Sequence, residues 1–148
     1  MTEERYFVKE WLNRMYAVAN AIEALERKRD LVICSMSGVG KYDAKSFSGN
    51  TGENASETKL LEYSELCSMI DKKREELSRE DLITLKVIDS LEGKNAEIEK
   101  AVLIDRYLNR LSWSQLEKNH NFERSRLTQF HNEALDKLYE AVRKEVTR

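Results

Sequence analysis

The stretch SWSQLEKNHNFERSRLTQFHNEALDKL, residues 112–138, predicts two helices joined by a tight turn. Ser112 and Gln115 have the spacing of a capping box, in which each side chain bonds the other residue's backbone N–H at a helix N-terminus. A turn is expected at His120-Asn121-Phe122, because asparagine tolerates the left-handed backbone region. The second helix is amphipathic, with one apolar face made by Leu127, Phe130, Ala134, Leu138 and Val142.

A further apolar helix precedes this stretch and should end near Asn109-Arg110. Its apolar residues are Ile98, Ala101, Val102 and Leu108. Residues 93–148 therefore predict a helix-turn-helix unit, a geometry that places the second motif helix in a DNA major groove. Arginine, asparagine and glutamine can pair with base edges. The candidate DNA-binding residues are Arg106, Ser112, Lys118, Arg124, Ser125, Arg126, Thr128, Gln129 and Asn132. The alternative is an ordinary three-helix bundle with a solvated polar face.

Residues 1–92 predict a long antiparallel helical hairpin, so the expected fold class is all-α. The block from Glu3 to Ile33 carries an apolar stripe at spacings of three and four, typical of a coiled coil. A second helical block runs from Glu57 to Leu91, and Ser78 with Asp81 offers a point where it breaks. Between the blocks, residues 35–56 hold four of the five glycines and predict a flexible Gly/Ser-rich loop.

The composition limits the possible functions. The formal net charge is −2, yet six basic against three acidic residues between Lys100 and His131 make the motif mildly basic, which predicts modest, salt-sensitive phosphate affinity. The chain contains neither a membrane-spanning apolar run nor a signal core, so we expect a cytoplasmic protein with no membrane contact. Cys34, Cys67, His120 and His131 form no metal-ligand pattern, and no catalytic set of residues stands out. We expect neither an enzyme nor a cofactor.

Residues 102–138 resemble region four of bacterial sigma factors. The likeness rests on Arg106-Tyr107-Leu108-Asn109, Leu111-Ser112-Trp113, Leu116, Arg124-Ser125-Arg126-Leu127-Thr128-Gln129 and Ala134-Leu135-Asp136-Lys137-Leu138. The layout of the whole chain is similar to that of small phage and prophage proteins, the late-gene regulators of the RinA and ArpU type. The resemblance implies a transcriptional regulator that binds double-stranded DNA and works with host RNA polymerase or a sigma factor. A homodimer formed through the N-terminal hairpin is the expected assembly.

Acidic residues depart from the sigma pattern at four positions, and the first is Asp105, which stands where an apolar residue is common. Glu117 replaces a small alanine, Glu123 replaces a Ser or Thr cap, and Glu133 replaces a lysine. The small alanine lets the two motif helices approach each other, and the Glu123 carboxylate repels phosphate. Two other functions stay open. One is a helical protein-interaction module, anti-sigma-like or polymerase-binding, that does not bind DNA. The other is a small subunit of a phage DNA-packaging machine, which would assemble into rings.

Overall fold

The computed structural model describes the backbone of residues 1–37 and 49–148 and the side chains of residues 1–36 and 56–148. Over these residues the chain is all-α, as the sequence predicts, with no strand. The helices are α1 (Glu3–Leu12), α2 (Tyr16–Ser37), α3 (Gly49–Asp89), α4 (Ala96–Leu103), α5 (Trp113–His120) and α6 (Arg124–Val146). A five-residue π-helical segment, Ile104–Leu108, follows α4 directly.

The chain divides into two compact units. Met1–Met15 and Arg79–Arg148 form one, here called the composite unit, and Tyr16–Ser78 forms the other, the two-helix unit. This division differs from the expected boundary at residues 92–93, because α1 packs on α6. The main core of the composite unit contains Val8, Leu12, Val87, Ile88, Leu91, Leu103, Tyr107, Ala134, Leu135, Leu138 and Val142.

The helical block expected from Glu3 to Ile33 is interrupted in the structure, since α1 ends at Leu12 and α2 begins at Tyr16. Tertiary contacts of Arg14 explain the break. Its guanidinium donates to the Trp11 carbonyl oxygen at 3.0 Å and lies 4.0 Å from the centre of the Trp11 ring. It also donates to Thr84 Oγ1 at 2.9 Å and to the Glu80 carbonyl oxygen at 2.9 Å. The first bond gives a hydrogen-bond partner to a carbonyl group in the last turn of α1, and the others hold this end of α1 against α3.

The possible break near Ser78 does not occur, because α3 is one helix from Gly49 to Asp89. Serine inside a helix lowers stability only slightly, whereas starting a new helix requires an unfavourable nucleation step. The expected loop at residues 35–56 is shorter in the structure, since α2 continues to Ser37 and α3 starts at Gly49. The prediction of a flexible loop falls on residues 38–48, which lie outside the described residues.

The two-helix unit brings α2 against the first part of α3. Its buried apolar side chains are Ala19, Ile22, Val32, Leu66 and Ile70. Two ion pairs join the helices: an Arg74 guanidinium nitrogen lies 2.8 Å from Glu26 Oε2, and Lys28 Nζ lies 3.6 Å from Glu62 Oε1. Exposed pairs of this kind contribute little to stability, so the apolar contacts carry most of it.

Candidate nucleic-acid interface

The segment before α5 ends in a tight backbone reversal at the predicted position. The Asn109 N–H donates to the Ile104 carbonyl oxygen at 2.9 Å, and Arg110 has a positive φ of 57°. Asp105 fixes this reversal, because it accepts a bond from Asn109 Nδ2 at 2.8 Å and lies 2.7 Å from His120 Nε2. The π-helical segment is thus connected directly to the end of α5.

The predicted capping box starts α5. The Gln115 N–H donates to Ser112 Oγ at 3.2 Å, and the Ser112 N–H donates to Gln115 Oε1 at 2.8 Å. Leu116, fully buried on the inner face of α5, packs with Val102 and Leu127. The short helix is therefore fixed at its N-terminus by local bonds and on its inner face by a small apolar cluster.

The predicted turn between α5 and α6 is also confirmed. Asn121 adopts the left-handed conformation, with φ 57° and ψ 37°, and its N–H donates to the Glu117 carbonyl oxygen at 3.0 Å. Glu123 occupies the N-cap position of α6 without a side-chain capping bond. Phe122 packs edge-on against Phe130, with ring centres 5.3 Å apart. The turn thus sets the direction in which α6 leaves α5.

The start of α6 exposes polar side chains on the side away from the core. Leu127 and Phe130 are buried, whereas Asn132 is half-buried. The exposed candidate residues on this helix are Arg124, Ser125, Arg126, Thr128 and Gln129. These five residues and Asn132 are called the polar flank below.

The polar flank ends where α1 begins to cover α6. The guanidinium of Arg5 bonds both carboxylate oxygens of Asp136 at 2.8 Å, which holds the pKa of that carboxyl below its ordinary value. Further along, Phe7 packs edge-on against Tyr139 at 5.8 Å. Helix α1 therefore leaves the outer face of the first three turns of α6 uncovered.

Two arginines of the polar flank make contacts within the protein. Arg124 lies 3.4 Å from Glu117 Oε1 through its Nε and donates to Ser114 Oγ at 3.1 Å. Arg126 donates to Gln129 Oε1 at 2.8 Å and lies 4.5 Å from the centre of the Phe130 ring. Both side chains remain exposed, so these contacts orient them without removing them from solvent.

Three candidate residues lie elsewhere. Arg106 is half-buried, donates to the Leu111 carbonyl oxygen at 2.8 Å and lies 5.4 Å from the centre of the Trp113 ring. Its guanidinium therefore supports the chain reversal before α5. Ser112 is exposed, but its hydroxyl accepts the capping bond. Lys118 is exposed on α5.

His131 follows Phe130 in the sequence, so its expected place is the edge of the core or the DNA side, whereas the structure buries it. Tyr107 Oη lies 2.6 Å from its Nε2, Asn132 Oδ1 lies 3.1 Å from its Nδ1, and the Trp113 ring packs edge-on at 5.4 Å. Burial lowers the pKa of His131 and raises the pKa of Tyr107 to about 12. The signal was present in the sequence, because His131 is four residues after Leu127 in the apolar stripe of α6.

Glu99 is a second buried polar residue, and it was not expected from the sequence. Its side chain is fully buried, and its Oε1 lies 2.7 Å from Lys137 Nζ. Lys137 also donates to the Glu92 carbonyl oxygen at 3.1 Å, next to the turn where Gly93 has a positive φ of 114°. The sequence did contain a signal for this burial. Glu99 is three residues from both Ala96 and Val102, which are buried, and this spacing puts the three side chains on one helix face.

Comparisons with protein-family models, with curated proteins and with solved structures gave no match to this chain. In the part of the chain that the structure describes, no helix combines the length and apolar character needed to cross a bilayer. The same residues contain no group of three or more histidine, cysteine, aspartate or glutamate side chains arranged to hold a metal ion.

Proposed function

We propose that the protein is a DNA-binding transcriptional regulator of phage type. In this proposal residues 93–148 act as a sigma-region-four-like helix-turn-helix unit, and the polar flank of α6 contacts double-stranded DNA. The polar flank itself carries the proposal: its residues are exposed except for the half-buried Asn132, it is rich in hydrogen-bond donors, and the buried Leu127 and Phe130 support it from behind.

The chemistry of the polar flank suits the major groove. That groove is about 12 Å wide and admits one α-helix, whose N-terminal residues contact base edges in helix-turn-helix proteins. Ser125, Gln129 and Asn132 follow one another at spacings of four and three, so they share one face of α6. Arg124 and Arg126 add positive charge for phosphate or guanine at the same end of the helix.

The first experiment measures binding to fluorescent duplexes of random sequence, at two salt concentrations between about 50 and 200 mM. We expect affinity to fall as salt rises. In the variant Arg124→Gln/Arg126→Gln, affinity should fall, and the salt slope should decrease by about one for each of the two arginines that contacts a phosphate, because that phosphate then keeps its counterions.

The matched control is Arg143→Gln/Lys144→Gln, which removes two exposed cations from the other end of α6. This control should bind almost as well as the parent protein, and thermal unfolding of both variants should resemble that of the parent. Equal affinity of the two variants for duplex DNA would reject the polar flank as the binding surface.

The proposal includes a homodimer, in which the two-helix unit acts as an antiparallel hairpin and forms the dimer interface. Among its described side chains, large apolar groups remain exposed on Leu31, Leu60, Leu61 and Met69. So small a unit gains stability by burying such groups against another chain. Two copies would bring two motifs to two half-sites. Light scattering should give a dimer, and Leu60→Lys/Leu61→Lys should give a monomer.

A protein-interaction module that does not bind DNA is the second candidate function. It is favoured by the carboxylates at the polar flank, since Glu117 pairs with Arg124 and Glu133 accepts a bond from Gln129 Nε2 at 3.3 Å. On this alternative the parent protein would have no measurable affinity for duplex DNA even at low salt, and purified bacterial RNA polymerase would bind it. The same random-sequence duplexes therefore separate the two functions.

A further inference from the structure

Arg124 forms a bridge from α6 back to α5. Its Nε lies 3.4 Å from Glu117 Oε1, and one of its terminal nitrogens donates to Ser114 Oγ at 3.1 Å. Ser114 and Glu117 are three residues apart and therefore lie on one face of α5. The two contacts use the same side of the guanidinium group, the side formed by Nε and Nη2.

The other side of the guanidinium group is left for a ligand. A guanidinium has five N–H donors in a planar fork, so the end formed by Nη1 and Nη2 can still donate two parallel bonds. About half of the Arg124 side chain is exposed, at 54% of its maximum, so the two contacts with α5 do not bury the side chain. The two contacts already restrict the rotamers of Arg124, so less side-chain entropy is lost when a ligand binds.

The nearby charge distinguishes between the two kinds of acceptor that DNA offers. Phosphate oxygens and the O6 and N7 atoms of guanine can each accept a bidentate bond from arginine. The carboxylate of Glu117, adjacent to the guanidinium, repels a fully charged phosphate more strongly than the uncharged acceptor edge of a guanine. The arrangement therefore favours a base over the backbone.

We propose that Glu117 and Ser114 are positioning residues that present Arg124 end-on to a guanine, which makes Arg124 a specificity-determining residue. The proposal rests on the DNA-binding function proposed above. It adds the base that Arg124 recognises and the neighbouring residues that orient Arg124 toward that base. Glu117 is thus the origin of discrimination, although its charge opposes DNA binding in general.

The test starts from a duplex selected by the parent protein out of a random-sequence pool. Each guanine of the selected site is replaced in turn by 7-deazaguanine, which lacks N7 but still pairs normally. We expect one replacement to weaken binding by the parent protein about tenfold, because it removes the N7 bond of a bidentate contact and leaves the O6 bond. Glu117→Gln should lose most of that effect, and its affinity for unselected duplexes should rise.

Three variants separate positioning from charge. Glu123→Gln removes one negative charge from the adjacent N-cap, where Glu123 makes no side-chain capping bond. It should raise affinity for both duplexes equally and keep the effect of 7-deazaguanine. Ser114→Ala should reduce that effect partially. Arg124→Lys keeps the positive charge but lacks the planar fork, so it should reduce the effect more than Ser114→Ala does.

A measurement without DNA tests the positioning independently. Nitrogen-15 relaxation at Arg124 Nε should report an ordered side chain in the parent protein and in Glu123→Gln, and a mobile one in Glu117→Gln. A mobile Arg124 in the parent protein overturns the positioning role, and so does full retention of the 7-deazaguanine effect in Glu117→Gln. An ordered Arg124 in a protein that binds no duplex rejects the DNA-binding function instead, and the guanine assignment with it.

Discussion

Tyr107 Oη lies 2.6 Å from His131 Nε2. This hydrogen bond joins the π-helical segment to the buried side of α6, at the level of the polar flank. The two rings are also stacked, with centres 5.7 Å apart. His131 is on the buried side of α6, and the next residue, Asn132, belongs to the polar flank. The orientation of α6 therefore depends on a polar contact inside the core as well as on apolar packing.

Replacing Tyr107 with phenylalanine should destabilise the protein by about 1–3 kcal/mol, because it leaves a buried nitrogen of His131 without a partner. Urea denaturation followed by circular dichroism measures this difference. Tyr6→Phe is the matched control, since Tyr6 is exposed and should change stability by less than about 0.5 kcal/mol. Equal effects of the two changes would mean that the Tyr107 hydroxyl is not a stabilising contact.

Acid should weaken the fold through His131. Burial is the main cause of its lowered pKa, and positive charge on Lys9, Arg106 and Arg5 acts in the same direction. Because the folded-state pKa is below the unfolded value of 6.5, the unfolded chain binds the proton more readily. The free energy of unfolding should therefore be highest above that value and decrease as pH falls from about 7 to 5.

Denaturant titrations over that pH range check this prediction. The variant His131→Asn removes the titrating ring, so its stability should change less with pH, even if it is lower throughout. A variant that keeps the same slope as the parent protein would assign the pH dependence to other groups.

The ion pair between the buried Glu99 and the more exposed Lys137 should be sensitive to the loss of one partner. Lys137→Met leaves the fully buried Glu99 carboxylate without its cation and should destabilise the protein by about 3 kcal/mol. This value is at the lower end for broken buried pairs because Lys137 is partly exposed. Glu99→Met/Lys137→Met removes both charges and should recover most of that stability in denaturant titrations. A double variant less stable than the single one would contradict this prediction.

Two serines near the proposed interface should have opposite effects. Ser112→Ala removes the capping hydroxyl of α5 and should cost about 1 kcal/mol of stability. Ser125→Ala changes an exposed residue of the polar flank, so stability should stay within about 0.5 kcal/mol while duplex affinity falls. Melting temperature and duplex binding, measured on both variants, distinguish a structural from a recognition role.

Local sequence predicted the segment from Asn109 to Val146 well. The capping box of Ser112 and Gln115, the left-handed Asn121 and the apolar stripe of α6 depend on residues within one or two turns of each other. The exposure of the polar flank follows from the same periodicity, because burying one face of an amphipathic helix leaves the opposite face in solvent.

Contacts between distant residues decided the rest. Nothing local identifies Arg14 as the residue whose contacts break the helix after Leu12, since its partner Thr84 is 70 residues away. The pair of Arg5 and Asp136, which marks the end of the polar flank, joins residues 131 positions apart. Sequence by itself therefore determined the helices of residues 109–146 and their polar face, whose causes lie within a few residues. Only the tertiary structure decided where α1 ends, what it covers and which polar groups are buried, because those outcomes depend on side chains that meet only after folding.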